Sequence, residues 1–195
     1  MDTTRKFVYE GIIRFLCVAM FIIGFALVFY HRYVIVPTAW PFQFLMSGLA
    51  IAVSYTTFSP GRIREGIAAL VLYFILSSGA ITPHHPWAFI LDATYIGVMA
   101  CAVYLYLAVA RKPLFHNRVL RVVAAAAIVG ICNGLIIPFL SLFSIPWYLS
   151  HLAQLLDGIH LNLKVGTMMG LMFGIGAEVS KYLIDTFLIP REAAA

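Results

Sequence analysis

The chain of 195 residues is 63% hydrophobic and only 11% charged, with a mean hydropathy of +0.96, a balance outside that of water-soluble globular domains. Its formal charge of +5 would suggest acidic partners in a soluble protein. In a chain this apolar the positions of Lys and Arg report on orientation in a bilayer instead, and nucleic acid is not an expected partner.

Apolar stretches of about 20 residues recur, the length a helix needs to cross the hydrocarbon layer, with none of the alternating ~10-residue strands of a membrane barrel. The expected fold is an all-α integral membrane protein, a single transmembrane helical domain over residues 1–195. Its partner is the lipid bilayer. The first span is expected at 7–30. Arg5 and Lys6 before it resemble the start of a signal peptide, but the apolar run is long and no small-x-small cleavage site follows, so it reads as a retained span. The next spans are expected at 40–58 and 64–81, with Pro37, Pro41, Pro60 and Pro83 at their edges. A fourth is expected at 87–110, a fifth at 118–143, and a sixth at 163–188, closed by Pro190.

With six alternating helices, Arg5, Lys6, Arg62, Arg64, Arg111, Lys112, Arg118, Arg121 and Arg191 all fall on one side, and the opposite loops hold only Arg32. The positive-inside rule then places both termini in the cytoplasm, in a multi-pass protein of the plasma (inner) membrane. Trp40, Trp87 and Trp147 stand at the outer boundaries, where indoles anchor at the interface. Before the sixth span, Leu149, Leu152, Leu155, Leu156 and Ile159 follow helical spacing among the polar His151, Gln154, Asp157 and His160. This segment is either a short amphipathic helix on the outer surface, broken at Gly158, or the start of one long helix running into span six.

The sixth span carries the strongest pattern. Gly166, Gly170 and Gly174 recur every four residues and form one smooth helix face, which Glu178 continues a turn later. Small residues at this spacing let two backbones approach closely, and a carboxylate in the membrane has to face protein or a water-filled cavity. Glu178 lies about 15 Å from the inner end of its helix at 1.5 Å per residue. Glu178, Lys181 and Asp185 share a face, and span one offers Glu10 and Arg14 at i, i+4. If spans one and six are neighbours, Arg14 can pair with Glu178. Glu10, Arg14, Glu178 and Lys181 then form either a structural ion-pair set with snorkelling basic chains or a charge relay.

In the outer half, Asn133, Gly134 and Pro138 interrupt span five. Proline removes the N–H that would bond the Gly134 carbonyl, and such breaks often line a binding cavity. Asp92 and Lys164 occupy the same layer, so Asp92, Asn133 and Lys164 are the candidate ligand-binding residues. Five of the six histidines, His31, His84, His85, His151 and His160, also lie toward this side. Asp157 and His160, three apart, are the candidate metal ligands, although a zinc-type site needs a third and fourth.

Other chemistries lack their parts. Axial haem ligation would require histidines inside the spans. Cys17, Cys101 and Cys132 sit in apolar segments and read as small hydrophobes. No serine-hydrolase elbow, zinc-protease helix motif, phosphate-binding glycine loop or Cys-x-x-Cys is present, so no catalytic residue or cofactor is assigned. The leading expectation is binding or transport of a small solute through an outward-facing polar cavity between spans four, five and six, with Glu178 and Arg14 as an inner gate or proton-linked pair. The alternatives are a non-catalytic subunit of a larger membrane complex, its glycine face packed on a partner helix or a second copy, and a metal- or haem-dependent enzyme.

Overall fold

The computed structural model describes residues 3–28, 40–59, 61–77, 88–139 and 152–188. They form six helices and, among the described residues, no strand: α1 (Thr3–Val28), α2 (Trp40–Phe58), α3 (Ile63–Ser77), α4 (Ala88–Ala110), α5 (Arg118–Ile131, continued by a π-turn over Cys132–Ile136 to Phe139) and α6 (Leu152–Phe187). A short 3₁₀ turn, Pro113–Phe115, precedes α5. Three helices contain stretches long and apolar enough to cross a membrane, Arg5–Ala26, Ala93–Ala110 and Arg118–Phe139, and Leu45–Phe58 is a shorter apolar helix.

α6 decides between the two readings of the segment before span six. The chain from Leu152 onward is not a separate surface helix but the opening turns of a helix of 36 residues. Gly158 does not end it. Among the described residues nothing lies within 4 Å of where a Cβ at Gly158 would stand, and no proline lies within the helix, so a glycine costing about 1 kcal/mol in propensity is carried by its neighbours. At 1.5 Å per residue α6 is about 54 Å long, well beyond the ~30 Å hydrocarbon thickness.

α6 is the axis of the bundle, packed by α5 on one flank and α1 on the other. The glycine face lies against α5: a Cβ at Gly170 would stand 2.5 Å from the Ala125 carbonyl oxygen and 2.8 Å from the Ala126 Cα, and one at Gly174 would be 2.9 Å from the Val122 Cα. α5 reciprocates with Gly130 against Thr167 and Gly134 against Leu163. On the opposite flank a Cβ at Gly176 would meet the Val18 Cα of α1 at 2.9 Å. These are backbone-to-backbone contacts, closer than side-chain packing allows. α2 covers α1, and α3 and α4 pack against α2.

Several hydroxyls inside the apolar helices are satisfied within their own helix. Ser54, Thr56 and Thr57 donate to the carbonyls of Ala50, Ala52 and Val53, each four residues back. Tyr73 donates to the Met46 carbonyl at 2.7 Å, tying α3 to α2. Gly61, at φ 81°, turns the chain from α2 into α3 while its N–H bonds the Phe58 carbonyl, a left-handed position other residues rarely adopt. The outer faces are apolar: Leu72, Ile75 and Leu76 on α3, Val119 and Phe139 on α5, and Leu16 and Met20 on α1 are all exposed. Such faces belong against lipid tails or another apolar surface.

Candidate functional site

The site is built where helix ends of alternating direction converge: the N-terminal half of α1, the ends of α2 and α4, the start of α5 and the last turns of α6. α5 begins under an N-cap, with the Asn117 side chain accepting the Val119 N–H at 2.8 Å. One turn in, Arg121 points at α6, and its Nε and Nη2 donate to Oε1 and Oε2 of Glu178 at 2.5 and 2.6 Å. This is the fork-to-fork geometry in which both charges are held by two parallel hydrogen bonds. Nη1 donates to the carbonyls of Phe115 and His116, both at 3.0 Å. The two side chains are only 11% and 13% exposed.

Glu178 therefore pairs with Arg121, not with Arg14. The glycine face that Glu178 continues lies on α5, so the carboxylate meets whatever cation α5 carries at that level. α1 packs on the Gly176 flank, and there Arg14 faces its own Glu10 at a long 3.7 Å. Arg121 had counted only as one of the basic residues marking the cytoplasmic side. The signal that would have found it is the run Val122, Ala125, Ala126 and Val129 on α5, spaced to meet the glycines, with Arg121 as a cation where the stripe begins. Lys181 and Asp185 are exposed on the following turns of α6.

The pair separates two cavities. One, of about 420 Å³, is lined by His116, Arg118, Tyr182 and Thr186 together with the pair, Lys181 and Asp185. The other, of about 300 Å³, reaches into the bundle between Arg14, Tyr55, Ser59, Tyr106, Arg111 and Arg121. Tyr55 and Tyr106 each meet the fully buried Phe173 edge to face, with centroids at 5.5 and 4.9 Å, so an aromatic triad holds both tyrosines in place. The Tyr55 hydroxyl lies 3.4 Å from both the Ala177 carbonyl and the Ser180 hydroxyl.

The outer candidates are placed differently. Asn133 sits in the π-turn, where the Ile137 N–H bonds the Cys132 carbonyl five residues back. That widened turn lies just before Pro138, which has no N–H to give. Asn133 is 2% exposed and donates its amide to the Asn162 carbonyl of α6 at 2.8 Å. It joins two helices, while Lys164 is exposed. Asp92 belongs to α4, but its side chain lies outside the described residues, as do Trp87, Trp147, His31, His84, His85 and His151. Asp157 and His160 are exposed on the first turns of α6. Among the described residues no group of three or more His, Cys, Asp or Glu could hold a metal ion. Cys17, Cys101 and Cys132 are free thiols.

In comparisons with known proteins the chain matches no family model, no curated protein and no solved structure.

Proposed function

We propose that this chain is a polytopic membrane protein of the plasma membrane, with six helices crossing the bilayer and both termini cytoplasmic, that binds or moves a small solute. The observation that carries this reading is the cavity of about 300 Å³ among α1, α2, α4, α5 and α6, lined by four basic side chains, two carboxylates and three hydroxyls. In a bundle otherwise this apolar, charged groups grouped around a space are expensive unless they serve a ligand or a charge pathway. The site is thus at the basic end of the bundle. The outer set is the weaker candidate because the Asn133 amide is already committed to Asn162.

The glycine face, which offered the best contact for a foreign helix, is covered by α5, and this favours a self-contained binder over a complex subunit. Native mass spectrometry of the protein gently extracted from its own membrane tests the choice. The expected result is a chain carrying a discrete small ligand. A stoichiometric partner subunit with no small ligand would overturn the reading.

A further inference from the structure

The charges around the inner cavity narrow the class of solute. We infer that the cavity binds a compact oxyanion, a phosphate group above all, with Arg14 and Ser59 as its inner ligands and Arg111 and Lys181 drawing it in; this rests on the solute-binding reading above.

Arg121 and Glu178 neutralise one another. Both carboxylate oxygens and all three guanidinium nitrogens are committed to that pair and to the carbonyls of Phe115 and His116. The rest of the lining holds three cations, Arg14, Arg111 and Lys181, against the single carboxylate of Asp185. Glu10, outside the lining, reaches Arg14 only at 3.7 Å, so an excess of positive charge persists when it is counted. Low-dielectric walls concentrate the field of such an excess and attract an anion.

Arg14 differs from the other basic residues at this end. Arg5, Arg64, Lys112 and Arg118 are exposed at helix ends, where water satisfies them. Arg14 is 19% exposed, with its guanidinium 5.7 Å from the centre of the Tyr55 ring. Its Nε is buried and has no hydrogen-bond partner, and the Ser59 hydroxyl is the other buried side-chain atom in that state among the described residues. Both residues line the same cavity. Buried donors are rarely left unpartnered, and a rotation of each side chain into the cavity would let one oxyanion accept from both. About 300 Å³ matches roughly ten water molecules at ~30 Å³ each, space for a small anion or a lipid headgroup but not a large cofactor.

A phosphate group can arrive as a free anion from the aqueous side or as the headgroup of an anionic lipid. The full chain in phosphatidylcholine nanodiscs is assayed for saturable binding of radiolabelled inorganic phosphate. Native mass spectrometry then measures retention of phosphatidylglycerol over phosphatidylcholine. Wild type is expected to bind one of the two probes, at least tenfold more weakly with Arg14→Gln and several-fold more weakly with Ser59→Ala or Lys181→Gln, and unchanged with Arg64→Gln. Phosphate binding identifies a soluble anion, and selective phosphatidylglycerol retention identifies the lipid. Should Arg14→Gln fail to fold, the exposed Arg111→Gln carries the test, with a several-fold loss expected. Binding of neither probe, or binding indifferent to these substitutions, overturns the inference. A discrete neutral or cationic ligand seen on the native chain would overturn the anion assignment and leave solute binding standing, whereas a partner subunit in place of any ligand would overturn both.

Discussion

Removing one member of the Arg121–Glu178 pair should be far more damaging than removing the other. Arg121→Gln leaves a carboxylate in the α5–α6 seam without a cation and strips the Phe115 and His116 carbonyls of their donor. Breaking a buried pair from one side costs about 3–5 kcal/mol, and each carbonyl bond adds roughly 0.5–1.5 kcal/mol. Glu178→Gln keeps an oxygen facing Nε, and Arg121 retains both carbonyl bonds, so its cost should fall at or below the lower end of that range. The double variant leaves no unpaired charge and should be less destabilised than the two single costs added together, by roughly 1–3 kcal/mol. Thermal unfolding of the purified chain, followed by labelling of the buried Cys132 with Cys17 and Cys101 replaced by serine, measures all four states. For a chain near this size 1 kcal/mol moves the midpoint by roughly 2–4 °C, so Arg121→Gln should lower it by at least about 6 °C. Strict additivity, or Glu178→Gln proving worse than Arg121→Gln, would refute the account of how the two charges are held.

The glycines should separate into two groups. Gly170→Ala forces a methyl onto the α5 backbone and should cost about 1–3 kcal/mol, while Gly97→Ala, with nothing within 4 Å, should be neutral or raise the midpoint through helix propensity; equal effects would remove the close-packing argument. Asn133→Ala should lower the midpoint by a few degrees, the loss of one interhelical bond worth about 0.6–1.7 kcal/mol in a membrane. It should leave solute binding intact, and lost binding with unchanged stability would return Asn133 to the ligand site. Asn117→Ala removes the cap of α5 and should cost about 1 kcal/mol, read in the same unfolding assay.

Much of the helix layout could be read from the chain because period and breakers coincide. Trp40–Phe58 emerges between the bounds its prolines suggest, and the start of α5 falls where Asn117 caps it. What could not be read was the choice among neighbours. The glycine stripe announced a close contact but not with which helix, and that single unknown misassigned Glu178 to Arg14. Arg121 was hidden by its company, one arginine in a basic stretch whose other members mark orientation. Gly158 left the segment before span six open between a break and a continuous helix, because glycine is tolerated at either. The cavity beside the pair was illegible, since its lining comes from five helices and Arg14, Ser59, Arg111 and Lys181 are far apart in sequence.

Arg121 grips more than a carboxylate. Through one guanidinium it fastens the turn before α5 to a helix 57 residues away, at the same end of the seam where glycines bring the two backbones together. α5 and α6 are consequently clamped at the tip and zipped along the shaft, and they should travel as one lever. Any conformational change that opens the interior would have to take place at the looser border of α3 with α4. Tension applied to the loop at Pro113–Phe115 would be delivered directly to the far end of α6.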